Sequence, residues 1–273
     1  MTMTTGERIR RLREERGLTQ DRLAGKLGVS FQAVSSWERD EYLPSLENLI
    51  QLAEILDVST SAILEERTYS FETKQAIYDW THMKTFVKTT SKVLGLTDTS
   101  RALAFALKAH EDQKRKKSDI PYICHPLTVA CHALALGVRK DEVVAACLLH
   151  DVIEDCGITA EELPVSDRTK EIVLLLTHEK EDGENRDRLM KEYYGKLARD
   201  PDAALVECLD RCNNLTTMAW GLSRERICRM IRETEEYFPA LMKTVKNTPE
   251  YNDAAWLIQY HMDSMLDIFK RLL

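Results

Sequence analysis

Residues 141–156 read DEVVAACLLHDVIEDC, and this stretch decides the fold of the second half of the chain. Its unbroken apolar run, VVAACLL, predicts a buried helix. His150 and Asp151 follow the run directly, so their imidazole and carboxylate are expected at or near the helix end, against the core. Glu154 and Asp155 add two carboxylates immediately afterwards. A His-Asp pair alone is weak evidence, but this context points to a cation site.

The segments around this stretch also have helical periodicity. Apolar residues recur at helical spacing from residue 6 to about residue 64 and again from residue 100 onward, and no run alternates with period two. The 273 residues include only ten Gly and seven Pro, which disfavours turn-dense sandwiches and barrels. The sequence therefore predicts an all-α fold in three parts: five short helices at residues 1–67, a linker helix at 68–97 that docks on the second domain, and a helical bundle at 98–273.

Composition is typical of a compact globular protein. Apolar residues make up 44% of the chain and charged residues 30%, and no apolar run approaches the roughly 18 residues of a membrane span. The N-terminus lacks an apolar segment with a cleavage site, so we expect a cytoplasmic protein with no membrane partner. The seven cysteines form no CxxC pair, and we expect them to be small buried apolar residues.

The N-terminal segment predicts two short helices joined by a tight turn at Gly28. Ala24 is expected where the two helices cross, with Val34 facing inward, so that the second helix projects. Each helix that follows the first is expected to begin after an N-cap residue, at Thr19, Ser30, Ser45 and Ser59.

The projecting helix presents polar side chains that suit DNA. Gln32 can read an adenine edge, and the hydroxyls around it suit phosphates or bases. Residues 1–39 carry eight Lys/Arg against five Asp/Glu, and arginines including Arg13 are expected to contact phosphates. The residues predicted to contact double-stranded DNA are Gln20, Ser30, Gln32, Ser35 and Ser36.

The pattern TQ..LA.KLGVS...VS.WE resembles the Cro/repressor-type helix-turn-helix family over residues 7–65. The resemblance implies binding in the major groove of double-stranded DNA, usually as a homodimer. The alternative is a helical module that keeps this fold and contacts other proteins instead. Binding to DNA at low salt distinguishes the two interpretations.

A divalent cation needs ligands from several segments, because residues adjacent in sequence cannot surround an ion alone. His125 lies just before a predicted helix that begins with Pro126. Asp210 lies on another predicted helix. With His150 and Asp151 they make two imidazoles and two carboxylates, a set that suits Mn, Fe or Zn better than Ca.

Four ordered motifs extend this pattern. They are AHEDQKRKKSDIPYICHPLTVA, LLHDVIEDC, LDRCNNL and RETEEYFPAL, and together they resemble the HD-type hydrolase domain of the RelA/SpoT alarmone enzymes, especially the small alarmone hydrolases, over about residues 98–245. The resemblance implies a metal-dependent helical bundle. Its implied metal ligands are His125, His150, Asp151 and Asp210, usually holding Mn²⁺, although another divalent transition metal is compatible.

The resemblance also implies a reaction. Glu154 and Asp155 position and deprotonate a water, which attacks the phosphorus attached to the 3′ oxygen of guanosine tetra- or pentaphosphate. The products are pyrophosphate and GDP or GTP. Arg115 and Lys116 are expected to contact the phosphates or base of the nucleotide, and Asn214 its ribose or phosphate region.

Three departures from the family pattern bear on the substrate. Glu207 stands where the family usually has Lys, Asn213 where it usually has His, and one extra residue lies within KRKKSDIPY. Two alternatives therefore stay open. One is a transcriptional regulator whose HD module senses a nucleotide with little turnover, and the other is a hydrolase of a different 3′-phosphorylated nucleotide.

The remaining candidates have simpler interpretations. His110 is expected to support the site from outside the ligand set. The C-terminal stripe is expected to be core or a dimer interface; its members are Trp256, Leu257, Tyr260, Met265, Phe269 and Leu272. The other histidines expected to be surface or packing residues are His82, His132, His178 and His261.

Overall fold

A computed structural model describes residues 3–58, 60–64, 79–115, 120–178, 185–218 and 222–273, without the side chains of residues 61 and 62. The chain divides into two compact units, Met1–Lys74 and Gln75–Leu273. In these described ranges the regular elements are helices, and one isolated β-bridge joins Lys114 to Pro121. The all-α fold class is confirmed. The predicted start of the linker at residue 68 lies outside the described residues.

The first unit consists of short helices that begin where the cap residues predict. Thr19, Ser30 and Ser45 each accept a hydrogen bond from a backbone N–H in the first turn, whereas Ser59 lies outside the described residues. Gly28 ends the second helix with φ of 68°, a left-handed conformation that favours glycine. The helices are α1 Thr5–Glu15, α2 Gln20–Leu27, α3 Phe31–Glu38, α4 Leu46–Leu56 and α5 Thr60–Ile63.

A buried ion pair joins α1 to α3 inside this unit. Nε of Arg13 lies 2.5 Å from Oε1 of Glu38, and Nη2 lies 2.9 Å from Oε2. Ala24 and Val34 are buried in the core of this unit, as expected. The expectation that Arg13 contacts phosphates is wrong, because only 7% of the residue is exposed and its guanidinium is held by Glu38.

The second unit is a bundle around a central helix. It comprises α6 Trp80–Leu94, α7 Thr97–Ala109, α8 Cys124–Ala135, α9 Asp141–Leu149, α10 Val152–Cys156, α11 Asp167–Leu176, α12 Arg186–Leu197, α13 Pro201–Thr217, α14 Arg224–Asn247 and α15 Asn252–Leu272. Helix α6 lies in the stretch predicted as a linker helix and packs against α7 and α8 within the second unit. Helix α14 runs to Asn247, further than the turn-like string VKNTPEYND indicates.

Helix α9 lies at the centre of the second unit. Every residue from Val143 to Leu149 is buried, and α9 packs against α7, α8, α11 and α13. The helix ends at Leu149 and α10 starts at Val152, so the chain bends at His150 and Asp151. Burial of α9 therefore carries the His-Asp pair into the interior of the bundle.

The cysteines and the C-terminal stripe have mixed environments. All seven cysteines lie in the described part of the chain, and none forms a disulfide; Cys124, Cys147, Cys208 and Cys212 are buried, and the others partly so. Phe269 is buried, but Trp256, Leu257, Tyr260 and Leu272 are exposed, so the stripe is not one continuous core face. Among the described residues, no helix combines the length and apolar character needed to cross a membrane.

Candidate metal centre and catalytic site

The four predicted ligands come together from different helices of the second unit. His125 lies in the first turn of α8, His150 and Asp151 lie at the bend after α9, and Asp210 lies within α13. Nε2 of His125 lies 3.1 Å from Nε2 of His150, 3.3 Å from Oδ2 of Asp151 and 3.0 Å from Oδ1 of Asp210. Nε2 of His150 lies 3.2 Å from Oδ2 of Asp151 and 3.6 Å from Oδ1 of Asp210.

These separations fit ligands that share one ion. Bonds of about 2.1 Å give neighbouring ligand atoms about 3.0 Å apart in an octahedron and about 3.4 Å apart in a tetrahedron. The ligand atoms of His125, His150 and Asp151 all lie within 4.8 Å of one another. Asp210 is not in that group of three, but its Oδ1 approaches both imidazoles at comparable distances. The residues present therefore fit a divalent transition metal with mixed N/O ligands.

Contacts outside the ligand set orient the two imidazoles. Nδ1 of His125 lies 2.6 Å from Oδ1 of Asn213, and Nδ1 of His150 lies 3.0 Å from the carbonyl oxygen of Cys147. Because both partners are acceptors, we assign the ring proton to Nδ1 in each histidine, which directs the Nε2 lone pair at the centre. Asn213 was noted in the sequence only as a departure from a family pattern. No spacing rule links it to His125, 88 residues earlier.

Tyr122 is a second contact that the sequence did not identify. Its hydroxyl donates to Oδ2 of Asp151 at 2.5 Å. Burial raises the pKa of the Tyr122 phenol, and the charges of Asp151 and Asp155 raise it further, so the hydroxyl keeps its proton. Tyr122 lies three residues before His125, in the string IPYICH, and this spacing is the available sequence signal.

The charges of the centre depend on one another. Burial opposes the ionisation of Asp151, but His150 and His125 outweigh it and hold the pKa of that carboxyl well below its usual range. Burial likewise opposes protonation of His150, and Asp151 with Asp210 nonetheless raises its pKa. Imidazoles and carboxylates thus stabilise each other's charged forms. A bound cation would take the place of the protons on the Nε2 atoms of His125 and His150.

Glu154 and Asp155 lie on the short helix α10 that follows Asp151. Backbone N–H of Asp155 donates to the carbonyl oxygen of Asp151 at 2.9 Å, which holds α10 against the ligand set. Oε1 of Glu154 accepts from backbone N–H of His178 at 2.8 Å. Both acids are within one turn of a ligand, so they can act on a group bound at the centre. Their catalytic roles stay predictions.

Of the three residues predicted to contact the nucleotide, the structure describes two. Nη2 of Arg115 lies 3.4 Å from Oγ1 of Thr217, which is at the end of α13 two turns beyond Asp210. Lys116 lies outside the described residues. Nδ2 of Asn214 lies 2.9 and 2.8 Å from the two carboxylate oxygens of Asp210, so it steadies this predicted ligand. A contact of Asn214 with ribose stays a prediction.

Glu207, which replaces the usual Lys, faces the interior between α12 and α13. Tyr193 donates to its Oε2 at 2.9 Å, and Nη2 of Arg211 lies 3.9 Å from its Oε1. Burial raises the pKa of the Glu207 carboxyl, and Asp210 raises it further. Glu207 is thus a partnered core residue.

The remaining histidines lie outside the predicted ligand set. Nδ1 of His110 lies 2.8 Å from Oε1 of Gln113, and its ring packs against Tyr122 at 4.9 Å. Burial lowers the pKa of His110. Its ring lies beside Tyr122, which in turn binds Asp151, and this position agrees with a supporting role. His132 packs against His261, and His82 is an exposed residue of α6.

In the first unit the predicted DNA contacts lie around α3. Ser30 caps the helix and Gln32 is exposed in its first turn. Ser35 accepts from Arg39, and Ser36 contacts Glu41. Gln20 differs, because its amide donates to Oε2 of the buried Glu38 at 2.7 Å. A phosphate contact by Gln20 would therefore compete with an internal hydrogen bond.

Comparison with known proteins identifies both units. Residues 9–63 match the family described as helix-turn-helix, and residues 102–242 match the family described as HD domain. A protein of Bacillus phage phi105 named immunity repressor protein is 38% identical over 104 residues, covering 38% of this chain and 72% of the phage protein.

Relatives of the second unit are much longer proteins. An Aquifex aeolicus protein named guanosine-3′,5′-bis(diphosphate) 3′-pyrophosphohydrolase is 34% identical over 152 residues, covering 53% of this chain and 21% of that protein. A Mycobacterium leprae protein named probable GTP pyrophosphokinase is 33% identical over 155 residues, covering 54% of this chain and 19% of that protein. The chain thus spans about a fifth of the length of these relatives.

A solved structure has the same fold. It is described as a metazoan ortholog of SpoT that hydrolyzes ppGpp and plays a role in starvation responses; the TM-score is 0.50 at 21% sequence identity, covering 63% of this chain and 94% of that one. The HD domain match covers more than half of the 273 residues and contains all four predicted ligands. The chain belongs to the HD domain family and carries an N-terminal helix-turn-helix module.

Proposed function

We propose that the second unit hydrolyses the 3′-pyrophosphate of guanosine tetra- or pentaphosphate in a metal-dependent reaction. One observation carries the proposal: two imidazoles and two carboxylates from three segments converge, with Glu154 and Asp155 one turn away. The name of the Aquifex aeolicus relative supports this substrate. The proposed products are pyrophosphate and GDP or GTP.

The proposed metal is Mn²⁺, held by His125, His150, Asp151 and Asp210. When bound, the ion supplies Lewis acidity and neutralises charge on the phosphate oxygens. Asn213 and the Cys147 carbonyl keep the two Nε2 atoms aimed at it. Tyr122 keeps Oδ2 of Asp151 in place through its hydroxyl.

The two acids that follow Asp151 act on the attacking water. Glu154 and Asp155 orient the attacking water and accept its proton as the oxygen–phosphorus bond forms. The bond between this phosphorus and the 3′ oxygen breaks with its electron pair on that oxygen, which takes up the proton that the carboxylate received from the water. Arg115 and Lys116 balance the phosphate charge, and Asn214 positions Asp210 and the sugar end of the nucleotide.

Turnover by the full chain tests the proposal. Protein with Mn²⁺ and guanosine tetraphosphate is expected to release pyrophosphate, and chelation is expected to stop the release. Asp151→Asn and Glu154→Gln are expected to abolish turnover, whereas His82→Ala on α6 is a control expected to keep it. Equal turnover in Glu154→Gln and wild type would reject the mechanism. Comparing Mn²⁺, Fe²⁺ and Zn²⁺ identifies the metal, and a panel of 3′-phosphorylated nucleotides tests the substrate.

A second candidate function is nucleotide-dependent DNA binding. The helix-turn-helix module and the phage repressor relative favour it. We infer that two copies bind half-sites about 34–36 Å apart, which requires a homodimer. Gln32 is exposed on α3 and is the proposed base-reading residue, with Ser30, Ser35 and Ser36 at phosphates or bases. We propose the cytoplasm as the place of action, because nucleotide and DNA are both available there.

Operator binding measured with and without nucleotide separates the two functions. A regulator that senses the nucleotide changes its DNA affinity and shows little turnover. An enzyme that is only tethered to DNA hydrolyses the nucleotide with unchanged DNA affinity. Gln32→Ala is expected to weaken specific binding without changing turnover.

A further inference from the structure

We propose that His178 is a positioning residue that holds Glu154 in its reactive orientation. The inference rests on the proposed function, because it assigns Glu154 the task of accepting a proton from water. His178 was expected to be a surface or packing residue. It lies two residues beyond α11 and 24 residues after Glu154, in a segment that no ligand motif includes.

Two atoms of His178 meet the same carboxylate oxygen. Backbone N–H donates to Oε1 of Glu154 at 2.8 Å, and Nδ1 of the ring lies 2.9 Å from that oxygen. The Glu154 side chain is only 11% exposed. The last torsion of a glutamate side chain is broad and poorly defined by itself. The backbone N–H therefore fixes this oxygen by a hydrogen bond, and the ring nitrogen contacts the same oxygen as an ion-pair neighbour without the alignment of a hydrogen bond.

The His178 ring is held by contacts that lead through Tyr193 to Glu207, which stands where the family usually has Lys. The ring packs against Tyr193 of α12, with centroids 4.9 Å apart. The Tyr193 hydroxyl lies 3.1 Å from the carbonyl oxygen of Leu176 and 2.9 Å from Oε2 of Glu207. Tyr193 thus links the end of α11 to Glu207 on α13.

The contact depends on the position of one nitrogen. Asparagine carries Nδ2 at the same branch as Nδ1 of histidine, so His178→Asn can keep a donor near Oε1 of Glu154. Glutamine carries its nitrogen one bond further, and alanine carries none. The backbone N–H contact survives in every variant. The expected loss is therefore partial: about 10- to 100-fold in kcat, below the roughly 10²- to 10⁴-fold contribution of a general acid–base group itself.

The test uses the full chain with Mn²⁺ and guanosine tetraphosphate. His178→Ala and His178→Gln are expected to lower kcat about 10- to 100-fold with KM changed less than about 3-fold, and His178→Asn to recover most of kcat. Calorimetric Mn²⁺ affinity is expected to stay at the wild-type value in all three. His261→Ala, another partly exposed histidine packed against a ring, is the matched control.

Added imidazole separates positioning from a merely structural role. The ring lines a cavity of about 710 Å³ beside Tyr193 and is 35% exposed, so imidazole can reach the space left in His178→Ala. Imidazole is expected to raise kcat of His178→Ala and to leave His261→Ala unchanged. If wild type turns over and His178→Ala does too at the same kcat, or if His178→Asn and imidazole both fail to recover activity, this inference is overturned alone. Wild type without turnover overturns the proposed function and this inference together.

Discussion

Replacing Asn213 by alanine tests whether the contact behind His125 controls metal affinity. Oδ1 of Asn213 is the acceptor for Nδ1 of His125 at 2.6 Å, and both residues are buried. Asn213→Ala removes that acceptor and leaves a buried ring N–H without its partner. The imidazole is then free to rotate or to move its proton to Nε2, where the proton blocks the metal.

The expected loss follows from the geometry. An unsatisfied buried donor costs about 1–3 kcal/mol, and loss of an outer-shell partner of a ligating histidine typically weakens metal binding about 10- to 100-fold. Tenfold corresponds to about 1.4 kcal/mol, so the two estimates agree. We therefore expect the Kd for Mn²⁺ to rise about 10- to 100-fold in Asn213→Ala.

Isothermal titration calorimetry with Mn²⁺ measures the change, and thermal unfolding of the metal-free proteins shows that the variants fold. Asn213→Asp keeps an acceptor and is expected to bind within about 3-fold of wild type or more tightly, because a carboxylate is a stronger acceptor. Asn252→Ala, which loses a contact to the Lys246 carbonyl far from the ligands in sequence, is the control. Wild-type affinity in a folded Asn213→Ala protein would refute the reasoning.

Three further predictions concern stability and metal. Mn²⁺ at 100 times its Kd is expected to stabilise the second unit by about 2.7 kcal/mol, seen as a rise in Tm that chelator reverses and that Asp151→Asn lacks. Asp202 is buried between Lys140, Arg168 and Tyr251, and Asp202→Ala is expected to cost about 3–5 kcal/mol in denaturant unfolding; an unchanged midpoint contradicts this. Burial opposes ionisation of Asp202, but its partners lower its pKa overall. Its contribution to the free energy of unfolding is therefore complete above the unfolded-state pKa of about 3.9 and is lost as the pH falls below that value. The difference in unfolding free energy between wild type and Asp202→Asn should narrow over the same pH range. Arg13→Ala leaves Glu38 buried without its cation and is expected to unfold the first unit more easily by about 3–5 kcal/mol, whereas exposed Arg10→Ala changes stability by less than about 1 kcal/mol.

Local sequence was sufficient for the helices and for the ligand types. Cap residues such as Ser30 act within three residues of themselves, so the beginning of α3 is readable from the chain alone. The apolar run before His150 predicts a buried helix for the same local reason, and the structure has α9 at the centre of the bundle. The motifs around His125, His150 and Asp210 then indicated which groups suit a cation.

The partners of those groups were decided by tertiary structure. Arginine is a residue type that commonly contacts phosphate, but Arg13 binds Glu38, 25 residues away, in the interior. Asn213 meets His125 across 88 residues, and His178 meets Glu154 across 24. Helical periodicity specifies which face of a helix is buried, but not which residue of another helix lies opposite. That pairing depends on how α8, α11 and α13 pack around α9, and many side chains at different distances along the chain contribute to this packing.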